Sequence, residues 1–202
     1  MKIIQVTTML GLCAALMGAA PPAQKAAPAQ KGVDPKAVMA AMQQYATPGP
    51  EHQRLKMLEG SWDVGITLYA QGQALPESKG RADFWLILGD RFVVEELKGQ
   101  FLDQPVNSHI VFGYDNAKKK YVSMRITSLG TDMMVREGTA DASGKVITLT
   151  GEAFDAQTGK SATGRMVYTF ESNDKFTVSV YETKPGAAEV KLFDMVYTRR
   201  AA

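Results

Sequence analysis

A single cysteine, Cys13, occurs in 202 residues, and it stands inside an apolar N-terminal start. Residues 1–20 combine a minimal positive charge at Lys2, an apolar run interrupted by Gln5, Thr7 and Thr8, and the small residues Gly18, Ala19 and Ala20, the pattern of an export signal removed from the mature protein. So short and Thr-spotted a stretch makes a poor bilayer span. Leu12 precedes Cys13 where lipid attachment asks for a small residue, so Cys13 is expected to leave with the signal. The mature chain then has no thiol, which excludes disulfides, cysteine nucleophiles and thiolate metal sites. A periplasmic or secreted protein with no membrane span in its mature part is expected, held together by core burial alone.

Histidine is almost as scarce. His52 and His109 are the only two, far apart in the chain, so no local pair has metal-ligand spacing. No metal, cofactor or catalytic residue is assigned from sequence. An excess of one charge is missing as well: 23 basic groups face 21 acidic ones, and loss of the signal removes Lys2. That balance gives no footprint for nucleic acid or an anionic membrane. The run Lys118-Lys119-Lys120 follows an Asp-Asn turn and reads as a solvated hairpin. Gly159-Lys160-Ser161 has the tail of a phosphate-binding loop, but Phe154 stands where its first glycine belongs and a strand follows.

What the chain has is alternation. After a Pro-, Ala- and Gln-rich linker over residues 21–33, Asp34-Pro35 opens a helix with Val38, Met39, Met42 and Tyr45 at helical spacing, stopped by Thr47-Pro48-Gly49-Pro50. A second helix is predicted over Glu51–Glu59 with Gly60 as its C-cap, which makes residues 34–59 a helical N-terminal segment. From Trp62 to Ala70, Trp62, Val64, Ile66 and Leu68 face one way and Asp63, Thr67 and Tyr69 the other. Comparable segments follow at 78–88, 91–99, 105–114, 120–128, 132–140, 145–154, 162–171, 175–183 and 188–200, separated by turns such as Leu88-Gly89-Asp90 and Asp141-Ala142-Ser143-Gly144. Ten strands without intervening helices predict an all-β fold: an antiparallel up-and-down barrel over residues 60–200, with a short helical plug.

Gly60-Ser61-Trp62 at the start of the first strand, and Arg199-Arg200 at the end of the last, resemble the calycin superfamily of lipocalins and fatty-acid-binding proteins. That resemblance implies a barrel plugged at one end, with a basic residue of the last strand laid over Trp62; Arg199 is favoured and Arg200 is the alternative. A closer resemblance spans about residues 44–199, through Tyr45-Ala46-Thr47-Pro48-Gly49-Pro50-Glu51-His52, Gly60-Ser61-Trp62-Asp63, Gly113-Tyr114-Asp115-Asn116, Leu149-Thr150-Gly151 and Tyr197-Thr198-Arg199. It is to a bacterial family of lipocalin-like domains of unknown function. Members of that family often carry Trp and Asp in the central strand where this chain has Met124 and Ile126, so chemistry resting on that Asp is not available here.

The residues expected to line an interior cavity are Glu96, His109, Met124 and Tyr181. Glu95 and Glu96 straddle the two faces of one strand, so one of them points inward and has to be paired or protonated, with Arg125 or Lys191 as partner; both charges in water at a rim is the alternative. His52, beside Glu51, reads as a surface or capping residue. The methionines, Met124, Met133, Met134, Met166 and Met195 among them, supply an adaptable apolar wall. The expected function is enclosure of a small, mostly apolar molecule. A packed barrel acting through its surface is the second reading, and an enzyme or haem-binding barrel built on His109 the third.

Overall fold

Strand pairing runs unbroken around the protein in the computed structural model, which describes residues 34–155 and 158–201; the expected signal and linker lie outside the described residues. The strands are β1 (Gly60–Ala70), a two-residue arm β2 (Gln73–Ala74), β3 (Ser78–Ile87), β4 (Phe92–Phe101), β5 (Gln104–Asp115), β6 (Lys120–Thr127), β7 (Met134–Ala140), β8 (Val146–Asp155), β9 (Lys160–Ser172), β10 (Lys175–Thr183) and β11 (Val190–Arg199). Apart from β2, which folds back on β1, each strand pairs antiparallel with the next. β11 returns to β1, with Trp62 opposite Arg199 and Leu68 opposite Phe193. The ten-stranded barrel expected from the sequence is therefore closed, which leaves no long edge unpaired.

Asp34 caps helix α1 (Pro35–Ala46) by accepting from the Lys36 N–H at 2.9 Å, and Pro35 fills the first helical position. No side chain of α1 is buried, but its end is tied down: Asn116 Nδ2 donates to the Tyr45 and Thr47 carbonyls, and Arg91 Nε to that of Ala46. Helix α2 (Pro50–Leu55) is shorter than expected and passes into a 3-10 turn at Lys56–Leu58. Leu55 and Leu58 close this end of the barrel. Gly60 is not a helix cap. It is the first residue of β1, at φ +122°, and a Cβ there would stand 2.8 Å from Arg199 Nη1.

The reason is the reach of Arg199. Its guanidinium lies 4.2 Å from the centre of the Trp62 ring, while Nη1 donates to the Glu59 carbonyl at 2.7 Å and Nη2 to that of Met57 at 2.6 Å. Arg199 also holds the Asn173 carbonyl and the Asp174 carboxylate of the β9–β10 turn. One side chain thus ties plug, first strand and last hairpin together by satisfying carbonyls that the end of the plug leaves open. Arg200 points elsewhere, 3.7 Å from Asp63.

Candidate functional site

Along the barrel axis the plug half is filled by its own side chains. Trp62, 1% exposed, donates from Nε1 to the Leu58 carbonyl at 2.8 Å and meets Phe176 edge-on at 4.8 Å, and Phe176 stacks on Tyr197 at 4.3 Å. Phe84 and Phe170 complete the cluster. The other half is open. A cavity of about 580 Å³ lies at the end remote from the plug, with Met134, Met166, Val180 and Phe193 giving apolar wall and Arg125 and Arg136 giving charge. Next to it an apolar hollow of about 250 Å³, lined by Leu68, Leu75, Phe101 and Leu102, shares Leu192 and Phe193 with the cavity.

Inward alternation explains the two arginines. On β6, Tyr121 and Ser123 are buried and Arg125 follows at the same parity; on β7, Met134 and Arg136 share the inward face. Arg136 is 4% exposed. Its stem lies where β8 and β9 carry glycine: a Cβ at Gly151 would stand 3.0 Å from its Cγ, and one at Gly164 3.1 Å from its Nη2. Arg125 Nη2 and Arg136 Nη2 both donate to Met134 Sδ, each at 3.4 Å. The Nε atoms of both, and Nη1 of Arg136, are buried without a hydrogen-bond partner among the described residues. Burial pulls both guanidiniums below their ordinary value, and at Arg125 the neighbouring Arg136 charge acts in the same direction.

Behind this wall lies a buried acid. Glu95, 4% exposed, accepts from the Tyr197 hydroxyl at 2.7 Å and stands in cross-strand line with Ile110 and Arg125. Burial pushes its carboxyl up to about 7, against the opposing pull of the Tyr197 hydrogen bond and the Arg125 charge. Burial likewise raises the Tyr197 and Tyr168 hydroxyls above their ordinary range.

Three of the residues expected to line the interior do not. Glu96 points outward, opposite Asp83 and His109, and pairs with Lys98 at 3.0 Å; Glu95 is the inward member of the pair. His109 is exposed on the outer wall, because Ser108 and Ile110 take the inward positions of β5. Haem ligation or acid–base work inside the barrel therefore loses its residue. Met124 belongs to an outer row that runs Val94, Val111, Met124, Val135 across four strands. Tyr181 stands at the rim of the cavity, where Val180 takes the inward position of β10 and the Tyr181 ring lies 4.0 Å below the Arg165 guanidinium. His52 is buried and caps α2: its Nδ1 accepts from the Gly49 N–H at 3.0 Å. Lys191 pairs with Asp194 at 2.9 Å and not with a glutamate of β4.

Arg136 is the residue that sequence reasoning missed. On the neighbouring β6, Tyr121, Ser123 and Arg125 alternate against Val122, Met124 and Ile126 and the more apolar set is the outer one, so alternation read by hydrophobicity points the wrong way at this wall. A larger groove, about 730 Å³, runs over the outside of β1, β3 and β4, but charges that border it pair with each other, Glu96 with Lys98 and Asp63 with Arg81. Among the described residues no three His, Cys, Asp or Glu side chains converge as metal ligands, and no helix is long and apolar enough to cross a membrane.

The fold has solved counterparts. The crystal structure of Rv2717c from M. tuberculosis is similar over 77% of this chain and 100% of its own, at 18% identity and a TM-score of 0.56. The S-type phycobiliprotein lyase CPES from Guillardia theta is similar over 77% of this chain and 99% of its own, at 13% identity and a TM-score of 0.53. At such identities the likeness is one of fold. No curated protein matches the chain. Residues 47–199, from the end of α1 to the arginine over Trp62, match the family model described as "Protein of unknown function (DUF1579)", and the chain belongs to that family.

Proposed function

We propose that the protein binds one small, mostly apolar molecule in the open half of its barrel, and that it does so outside the cytoplasm. The observation that carries the first part is the contrast between the two halves: aromatic rings fill the plug end, whereas about 580 Å³ at the other end is lined by Met134, Met166, Val180 and Phe193. That volume is in the range of ordinary ligand pockets, and flexible methionine walls suit an apolar guest. The second part rests on the signal-like residues 1–20.

Ala153 lies on the cavity wall, so Ala153→Trp puts an indole into the space the guest would use. A fluorescent apolar probe is expected to bind the wild-type protein with about micromolar affinity and to lose at least about tenfold on Ala153→Trp. Glu96→Ala and His109→Ala, on the outer wall, should leave the titration unchanged. Equal binding by wild type and Ala153→Trp would place the probe elsewhere. For export, fractionation should recover the protein from periplasm or medium without its first 20 or so residues; an intact N-terminus in the cytoplasm contradicts it.

A further inference from the structure

The two arginines of the cavity are an unusual expense for a site that takes only apolar guests. Arg136 is 96% buried by its 4% exposure, and both guanidiniums reach the same Met134 sulfur, so their donating nitrogens are no further apart than twice 3.4 Å. Two like charges at such range in a poorly solvated place repel, and three of their nitrogens have no partner among the described residues. Among the described residues neither is answered by an ion pair: Glu95 accepts from Tyr197 and acts on Arg125 only through space, as Asp132 does on both. Gly164 nevertheless leaves room for the Arg136 side chain, since a Cβ there would stand 3.1 Å from its Nη2, whereas at Gly151 a Cβ would meet the Val135 carbonyl first.

We infer that Arg125 and Arg136 form a clamp for an oxyanion head group, and that the guest is a single-chain amphiphile whose tail runs past Met166 and Phe193 toward the hollow at Leu68 and Leu102. The inference rests on the cavity being a ligand site. Planar guanidiniums hold carboxylate or phosphate oxygens through paired N–H groups, and an anion placed between the two cancels their repulsion and supplies the missing acceptors at once. The apolar hollow continues from the same Phe193 that lines the cavity of the arginines, which gives the tail an apolar path away from the head.

The test compares head groups on one chain length, by calorimetric titration at pH 8: dodecanoate, dodecyl phosphate, dodecanol and dodecylammonium. The two anions are expected to bind at least about tenfold more tightly than the alcohol, and the ammonium more weakly still; whichever anion is tighter identifies the head. Arg125→Met and Arg136→Met should each erase most of that preference while dodecanol affinity stays as in the wild type, which also shows that the variants are folded. Both should raise the thermal midpoint of the ligand-free protein, since each removes a buried charge without a partner. Equal binding of dodecanoate and dodecanol by the wild type overturns the clamp and leaves the cavity reading standing, as does a preference that survives both substitutions. If none of the four binds, the cavity reading fails and the clamp with it.

Discussion

Trp62→Ala is expected to lower the free energy of unfolding by about 3–5 kcal/mol, measured by urea denaturation. The ring is 1% exposed and is gripped on every side: Phe176 and Phe84 meet it edge-on, its Nε1 donates to Leu58, and Arg199 lies over it. Alanine leaves a cavity at the centre of the plug end and an unanswered Leu58 carbonyl, and both effects destabilise. Arg199→Ala is expected to cost about 2 kcal/mol, because the carbonyls of Met57, Glu59 and Asn173 lose a charged donor. The two losses overlap. In the doubly substituted protein the cation–π contact cannot be lost twice, so a double-mutant cycle should show a coupling above about 0.5 kcal/mol. Strict additivity would mean that the 4.2 Å contact carries no energy and that Arg199 acts on the plug carbonyls alone.

The second large effect is a pH dependence. The Glu95 carboxyl is raised from 4.5 to about 7 in the folded protein, so the folded state holds this proton more tightly than the unfolded chain. The stability this confers is complete below about pH 4.5 and is lost as pH rises through about 7, above which an ionised carboxylate has to be buried. The loss over that window is on the order of 3 kcal/mol. Glu95→Gln removes the titration and keeps an oxygen to accept from the Tyr197 hydroxyl. Its stability relative to wild type should climb between pH 4.5 and 7 and stay level beyond, leaving the variant more stable at pH 8. Carboxylates held low by their partners, such as Glu137 beside Lys120 and Asp141 beside Ser143, act at more acidic pH and cancel in the difference between the two proteins. Parallel stability curves would show that folding leaves the Glu95 carboxyl at its unfolded value.

How far these features could be read from residues depends on how many strands each one involves. The parity of β1 was legible because Trp62, Val64 and Ile66 alternate with Asp63 and Thr67, so only one face is apolar. On β4 both faces are apolar in part: Val93 and Leu97 are inside and Val94 is in the outer row, so the alternation itself does not say which glutamate goes in. There the phase is set by the turn from β3, where Leu88, Gly89 and Asp90 are all at positive φ, and by the pairing of Phe92 with Gly113. β6 is the extreme case, with hydrophobes outside and Ser123 and Arg125 inside, the reverse of the usual pattern. The His109 assignment failed more simply, since Val106, Ile110 and Phe112 already mark the inward set of β5.

The pairing of Trp62 with a terminal arginine was implied by the calycin resemblance, whereas the sequence by itself determined the ten strands of the barrel, most of the turns and the helical plug. Each of these follows from local periodicity, turn chemistry or a short motif, and needs no knowledge of the far side of the sheet. Tertiary structure alone decided which glutamate of β4 is buried, that β6 turns its polar face inward, and that Arg125 and Arg136 converge on one sulfur in an open half-barrel. Side chains change face with every residue along a strand, so a one-residue slip in any hairpin exchanges inside and outside; only the closed ring of pairings, from β1 round to β11 and back, fixes all ten phases together.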